Sequence, residues 1–129
     1  MRLLQLVTRR QHRGAEVFAA QLSDGLARRG HDVTLVGLYP APVHPVTPVA
    51  ARSHDLGGRS DRPLSYDLVV KLNELIDRLN PDVVQANGSS TLKYASLAKT
   101  VSRGRWPLVY RNIGIASDWL RCPGHQWWS

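Results

Sequence analysis

A strand, a polar turn, a helix and a second strand follow one another in the first 38 residues. Residues 3–7 form an apolar run as long as a buried strand, and residues 33–38 form another. Gly30 suits the end of the intervening helix, because a glycine without a Cβ readily adopts the left-handed conformation found there. One face of that helix should carry the apolar residues spaced three and four apart, namely Ala15, Phe18, Ala19, Leu22 and Leu26. Such a strand–helix–strand unit predicts an α/β fold with a mainly parallel sheet.

The second half of the chain continues the alternation of helices and strands. Ser65 or Asp67 can cap a helix that runs to Leu79. Its apolar stripe indicates core packing and consists of Leu68, Leu72, Leu75, Ile76 and Leu79. Residues 82–86 predict a strand, residues 91–102 a helix, and residues 107–110 a last strand.

The connection between these halves, residues 39–63, is rich in proline at first and in Gly, Ser, Asp and Arg later. Its prolines remove backbone donors, so regular helix is excluded there. Val43, Val46 and Val49 predict an extended edge segment, and residues 52–63 predict a loop. His44 and His54 lie in this connection without the spacing of metal ligands, so we expect no metal site.

The charge of the chain favours anionic partners. Lys and Arg number 17 against 10 Asp and Glu, a net charge of +7, and 14 of the cations are arginine. Phosphates, nucleic acid or an acidic membrane surface would suit such a protein, although a merely solvated basic surface is the plain alternative. We expect no nucleic-acid partner, because the arginines are not interleaved with aromatic residues and no nucleic-acid motif is present.

The single cysteine, Cys122, cannot form an internal disulfide, which suits a reducing compartment. The first apolar run is too short for a signal peptide or a membrane span. The sequence therefore predicts a cytoplasmic protein, with peripheral attachment to the inner membrane face left open.

Three polar turns mark the candidate site, since ligands of open parallel sheets bind beyond the carboxyl ends of the strands. The first turn, residues 8–14, carries Arg10 and Arg13, which could bind phosphate, and ends at Gly14, where a ligand could approach the backbone. It contains neither a G-x-G-x-x-G motif nor a P-loop motif. Its arginines could equally be solvated and unspecific.

The other two turns are Asn87-Gly88-Ser89 and Arg111-Asn112, each at the end of a later strand. All three turns should meet on one edge of the sheet, which makes that edge the candidate site. Asn87 could orient a hydroxyl group of a ligand, or it could simply close its turn, because Asn-Gly is a common turn dipeptide.

Two segments resemble the opening of family 4 glycosyltransferases: R-G-A-E at residues 13–16 and G-H-D-V-T-L-V at residues 30–36. The resemblance implies a three-layer Rossmann-like domain, one of two that face each other across a cleft. The amino-terminal domain of the family mostly binds the acceptor, and the carboxy-terminal domain mostly binds the nucleotide-sugar donor. The segment P-D-V-V-H-A-H-G of the family is similar to residues 81–88, where Gln85 and Asn87 replace both histidines. Because an amide does not titrate near neutral pH, we name no catalytic residue.

The resemblance also implies roles for individual residues. Gly14 and Ala15 would lie near the donor diphosphate. The acceptor would meet the polar residues of the three turns, namely Arg10, Arg13, Asn87, Gly88, Ser89, Arg111 and Asn112. No cofactor is implied, since the nucleotide-sugar is a substrate.

The resemblance covers residues 1–120, which we interpret as the amino-terminal domain, and leaves residues 121–129 as an irregular tail or a truncation artefact. The tail region contains Trp119, Trp127 and Trp128, which could dock onto a second domain or a membrane, or have no function. The donor-binding domain has no counterpart here, so we expect an acceptor-side half that is inactive alone and is completed by a separate domain or chain. The alternative is a non-enzymatic, Arg-rich module that binds anionic lipid or a partner protein.

Overall fold

A computed structural model describes residues 1–58 and 64–111 of the chain. Strands and helices alternate along this part, except where the third strand follows the second without a helix between them. The elements are β1 (Arg2–Val7), α1 (Gly14–Arg28), β2 (Asp32–Gly37), β3 (Arg52–Asp55), α2 (Tyr66–Leu79), β4 (Val83–Asn87), α3 (Ser89–Ser102) and β5 (Leu108–Arg111).

The strands form a single parallel sheet in the order β3-β2-β1-β4-β5. The predicted α/β class with a parallel sheet is therefore confirmed. The chain moves outward in one direction from β1 to β3, and then crosses back to build β4 and β5 on the other side of β1. The strand order thus reverses between β1 and β4, where the connections leave the sheet in opposite directions and open a crevice.

The helices cover the sheet on two sides, which gives the three layers. Leu4, Leu6 and Val84 point to the side of α2 and α3, where the larger apolar cluster is buried. Val7 and Leu35 point to the opposite side, where α1 packs against β1 and β2. Successive residues of a strand thus pack alternately into two apolar cores, as expected for a sheet that is covered on both faces.

The sequence signals for α2 are confirmed. Ser65 Oγ accepts a hydrogen bond from the backbone N–H of Leu68 (3.4 Å), so Ser65 is the N-cap. The predicted stripe is buried at Leu68, Leu72, Leu75 and Ile76. Asn80 ends the helix in the left-handed conformation, with its N–H donated to the carbonyl of Ile76 (2.8 Å).

The predicted buried face of α1 is wrong in part. The buried residues are Glu16, Ala19, Ala20 and Ser23, whereas Phe18 is 48% exposed. Ala19, Ala20 and Ser23 are small, so the helix can lie close to β1 and β2, and Phe18 is turned toward β5. The periodicity of large apolar residues correctly predicted a helix, but it assigned the buried face to the wrong side of that helix in part.

The connection after β2 also differs from the prediction. Arg52–Asp55, predicted as loop, is the strand β3, which lies at one edge of the described sheet and pairs there with β2. Its first three residues are exposed, so they carry no apolar pattern. The predicted extended segment around Val43, Val46 and Val49 is wrong: these residues lie outside any strand, and only Val46 is buried, in the core beside α1.

Asp24 on α1 holds the connection in place. Its carboxylate accepts the backbone N–H groups of Val49 (3.0 Å), Ala50 (2.8 Å) and Ala51 (3.1 Å). Burial acts to raise the pKa of Asp24, but these three donors and the charge of Arg28 outweigh it, so the pKa lies below its ordinary value. A segment without regular structure is thereby anchored to the helix just before β3 begins.

Candidate functional site at the carboxyl edge of the sheet

The candidate site lies where β1 and β4 end, at the reversal of strand order. α1 begins at Gly14 and α3 at Ser89, so the first turns of both helices lie at this edge. Their unpaired backbone N–H groups give the edge partial positive charge. Direct hydrogen bonds of Arg111 join the end of β5 to Asn87 and to Ala15, the residue that follows the first turn.

Asn87, the last residue of β4, is the centre of these bonds. Its Nδ2 donates to Gln5 Oε1 (3.0 Å) and to the carbonyl of Leu6 (2.9 Å). Its Oδ1 accepts from Gln85 Nε2 (3.2 Å) and from Arg111 Nε (2.7 Å). The side-chain amide thus makes all four hydrogen bonds that it can make, and the residue is only 3% exposed. Its observed contacts are therefore with the protein, across three neighbouring strands.

Arg111, the last residue of β5, joins that strand to the start of α1. Besides its bond to Asn87, its Nη2 donates to the carbonyl of Ala15 (3.1 Å). Its guanidinium lies over the ring of Phe18, 4.4 Å from the ring centre. Burial lowers the pKa of Arg111, and the nearby carboxylate of Glu16 acts in the opposite direction. Arg111 is held in one orientation by a strand, a helix turn and an aromatic ring.

Arg10 lies in the first turn, but its side chain is used within the fold. Its Nε and Nη2 form a bidentate salt bridge with the carboxylate of Asp55 (2.8 and 2.6 Å), the last residue of β3. Its Nη1 donates to the carbonyl of Val46 (3.1 Å). The hydrogen bonds to Asp55 raise the pKa of Arg10 against the effect of burial, so the charge is kept. Arg10 therefore connects the first turn to the edge strand and to the proline-rich connection.

Arg13 is exposed at this edge, and Gly14 leaves open space beside it. Arg13 is exposed, and its side chain makes no capping bond to α1. A Cβ added to Gly14 would meet no atom within 4 Å, so the space beside this turn is open. Gly88 has φ +115°, a backbone conformation that favours glycine and brings Ser89 to the start of α3. The last of the predicted site residues, Asn112, lies outside the described residues.

The sequence analysis did not identify three residues that belong to this edge. Gln5 and Gln85 lie opposite each other on β1 and β4, and Glu16 is buried in the first turn of α1. A signal was present for Gln5, because it interrupts an otherwise apolar buried strand. Glu16 gave no such signal, because a carboxylate in the first turn of a helix is favoured without any ligand.

Part of the positive charge lies away from the site. Each described helix has a cation in its last turn, namely Arg28, Arg78 and Lys99. Because parallel strands and their crossover helices run in opposite directions, these turns lie toward the amino edge of the sheet. Cations there offset the partial negative charge of the helix ends. These three cations therefore have a structural explanation that needs no ligand.

Among residues 1–58 and 64–111, no group of three His, Cys, Asp or Glu side chains is arranged to hold a metal ion. None of the described helices combines the length and apolar character needed to cross a membrane.

A groove of about 280 Å³ lies between β3 and α2, lined by His54, Leu56, Lys71, Glu74, Leu75 and Arg78.

Comparison with known proteins gives two matches of different kinds. The model of Glycosyltransferase Family 4 matches residues 12–112 of the chain. Among solved structures, the chain is similar to Alr3699/HepE from Anabaena, which was crystallised with UDP and glucose, at 21% sequence identity and a TM-score of 0.56. The match covers 85% of this chain and 29% of that one. No curated protein matches the chain.

Proposed function

Since the chain belongs to glycosyltransferase family 4, we propose that it is the acceptor-side part of a glycosyltransferase. The reaction would move a sugar from a nucleotide-sugar donor to a glycan or a lipid-linked acceptor. The observation that carries the proposal is the carboxyl edge at the strand reversal. There, the first turns of two helices lie at the same edge, the space beside Gly14 is open, and Arg111 is bonded to the start of α1.

The first turn is suited to the donor diphosphate. Gly14 leaves space for a ligand at the start of α1, and the N–H groups of Gly14 and Ala15 are among the first of the helix. Phosphate oxygens bind well to such N–H groups, because the helix dipole and the donors act in the same direction. Arg13 is exposed beside them and would add a flexible cation.

The acceptor would be bound on the side of β4 and β5. Gly88 and Ser89 start α3 there, and Arg111 presents a fixed guanidinium. Arg10 and Asn87 would contribute indirectly, because most of their donors and acceptors already bind protein groups. In this proposal Arg10 holds the shape of the first turn, Asn87 orients Arg111, and Asn112 follows Arg111 as a further acceptor-binding residue.

Transfer would require more than this chain. The chain spans 29% of the length of the HepE chain that it matches. We propose that a donor-binding domain, on the same polypeptide or on a separate one, forms the other wall of the cleft. Holding both substrates in a reactive geometry accounts for a large part of such catalysis, so the 129-residue chain would be inactive by itself.

A transfer assay tests this proposal. The purified chain is compared with the same chain joined to a donor-binding domain of the family, with UDP-glucose as the first donor and a panel of glycoside acceptors. We expect transfer only from the joined protein. Turnover by the chain alone at the rate of a two-domain enzyme would contradict the division of roles.

A further inference from the structure

A buried carboxylate lies at the candidate site. Glu16, in the first turn of α1, is only 8% exposed. Its Oε1 accepts one hydrogen bond, from Gln11 Nε2 at 3.2 Å. An ionised carboxylate can accept about four such bonds, and burying it with few partners is costly. The position of Glu16 near the helix N-terminus offsets part of this free-energy cost. Among the described residues, however, no donor forms a hydrogen bond with Oε2.

Arg111 has a free donor on the same side. Its Nε and Nη2 are bound to Asn87 and to the carbonyl of Ala15, the neighbour of Glu16 in the chain. Within residues 1–58 and 64–111, no hydrogen bond is made by Arg111 Nη1 or by Glu16 Oε2. Neither atom is among the side-chain atoms buried there without a partner, which are Arg9 Nε and His31 Nδ1. We conclude that both atoms face solvent.

The two groups are near each other but do not form an ion pair. Glu16 acts on the pKa of Arg111, so their charges interact. Yet the described ion pairs, which extend to 3.8 Å, do not include this one. Asn87, Ala15 and Phe18 hold the guanidinium, and Gln11 holds the carboxylate. The carboxylate and the guanidinium thus both adjoin the first turn of α1, and none of their nitrogen and oxygen atoms come within 4.0 Å of each other.

We propose that Glu16 and Arg111 bind one hydroxyl group of a sugar, with Glu16 Oε2 accepting its hydrogen and Arg111 Nη1 donating to its oxygen. A hydroxyl is both a donor and an acceptor, so it satisfies both protein groups at once. Both bonds involve a charged partner and are therefore strong. A phosphate would fit worse, because it brings a second negative charge next to the carboxylate of Glu16. The inference depends on the proposed function only in identifying the hydroxyl as part of the acceptor.

Amide and guanidinium NMR of the whole ¹⁵N-labelled chain tests the inference with two probes, methyl α-D-glucopyranoside and inorganic phosphate. We expect the glycoside to shift the Arg111 Nε–H signal and the amide signals of Glu16 and Phe18. The variant Glu16→Gln should weaken glycoside binding about tenfold, the effect of one charge-assisted hydrogen bond. Its matched control is Glu74→Gln, an exposed residue of α2 outside the site, which should bind as the parent does.

Three results would overturn the inference: no shift at Arg111 with the glycoside, equal binding by Glu16→Gln and the parent, or phosphate binding there that strengthens in Glu16→Gln. The amide spectrum of each variant shows whether it is folded, and Glu16→Ala provides a second folded variant if the glutamine form is not. The assay is independent of sugar transfer. Glycoside binding without sugar transfer by the joined protein would support this inference and contradict the proposed function. Sugar transfer without glycoside binding at Glu16 and Arg111 would support the proposed function and contradict this inference.

Discussion

At the scale of single residues, Arg10 and Asn87 show how the fold can use side chains that also suit a ligand. Arg10 follows the end of β1, and Asn87 ends β4. Both positions lie at the carboxyl edge, where the sequence predicted polar residues of the site. Arg10 is nevertheless paired with Asp55, and Asn87 is bonded to Gln5 and Leu6 of β1 and to Arg111 of β5. Sequence position indicated that these residues would reach the carboxyl edge. It could not indicate their partners, because Asp55 lies 45 residues away on a strand that had no apolar pattern.

The first prediction concerns Arg10→Ala. The Arg10–Asp55 pair is mostly buried, with side-chain exposures of 11% and 22%, and removing the cation leaves a carboxylate without its partner. We expect the free energy of unfolding to fall by about 2–3 kcal/mol, somewhat less than for a fully buried pair. Urea denaturation monitored by circular dichroism measures it.

The control for Arg10→Ala is Arg52→Ala. Arg52 approaches Asp32 only to 3.8 Å, and their side chains are 70% and 48% exposed. Its removal should change the free energy of unfolding by less than about 0.5 kcal/mol. Equal losses from the two substitutions would show that the Arg10 pair does not fasten β3 to the first turn.

At the scale of secondary-structure elements, the sequence predicted those whose signals are local. α2 carries a dense apolar stripe and a serine N-cap, and both match the structure. The face of α1 depended on how closely the sheet approaches, and small residues rather than Phe18 determined it. β3 is polar and mostly exposed, so its sequence carries no strand pattern. Its extended conformation depends on the backbone hydrogen bonds that it makes with β2.

The second prediction concerns the end of α3. Arg103 caps this helix in the left-handed conformation, with φ 55°, a conformation that costs a non-glycine residue free energy. We expect Arg103→Gly to raise the free energy of unfolding by about 0.5–1 kcal/mol, after the greater freedom of glycine in the unfolded chain is subtracted. Thermal or urea denaturation is the measurement.

The matched control for Arg103→Gly is Arg105→Gly, two residues further on. Arg105 is also exposed, but its φ is not positive. The same substitution there relieves no strain and should leave the stability unchanged or slightly lower. If both variants were stabilised equally, loss of positive charge rather than backbone conformation would be the cause.

At the scale of the whole molecule, topology accounts for what the sequence could predict of the site. Once β1, β4 and β5 are parallel neighbours, their ends must meet on one edge, so the three turns could be placed without knowing a single distance. The orientation of Arg111, the burial of Glu16 and the use of Arg10 depend on side-chain packing among elements far apart in sequence. These features emerged only from the structure.

The central claim is that the carboxyl edge between β1 and β4 is the ligand-binding site of this chain. The most direct measurement is an amide NMR titration of the ¹⁵N-labelled chain with UDP-glucose, mapped onto residues 1–58 and 64–111. We expect shifts at Gly14 and Ala15, with the groove at His54, Lys71 and Arg78 unchanged. Shifts confined to that groove, with the signals of Gly14 and Ala15 unmoved, would contradict it.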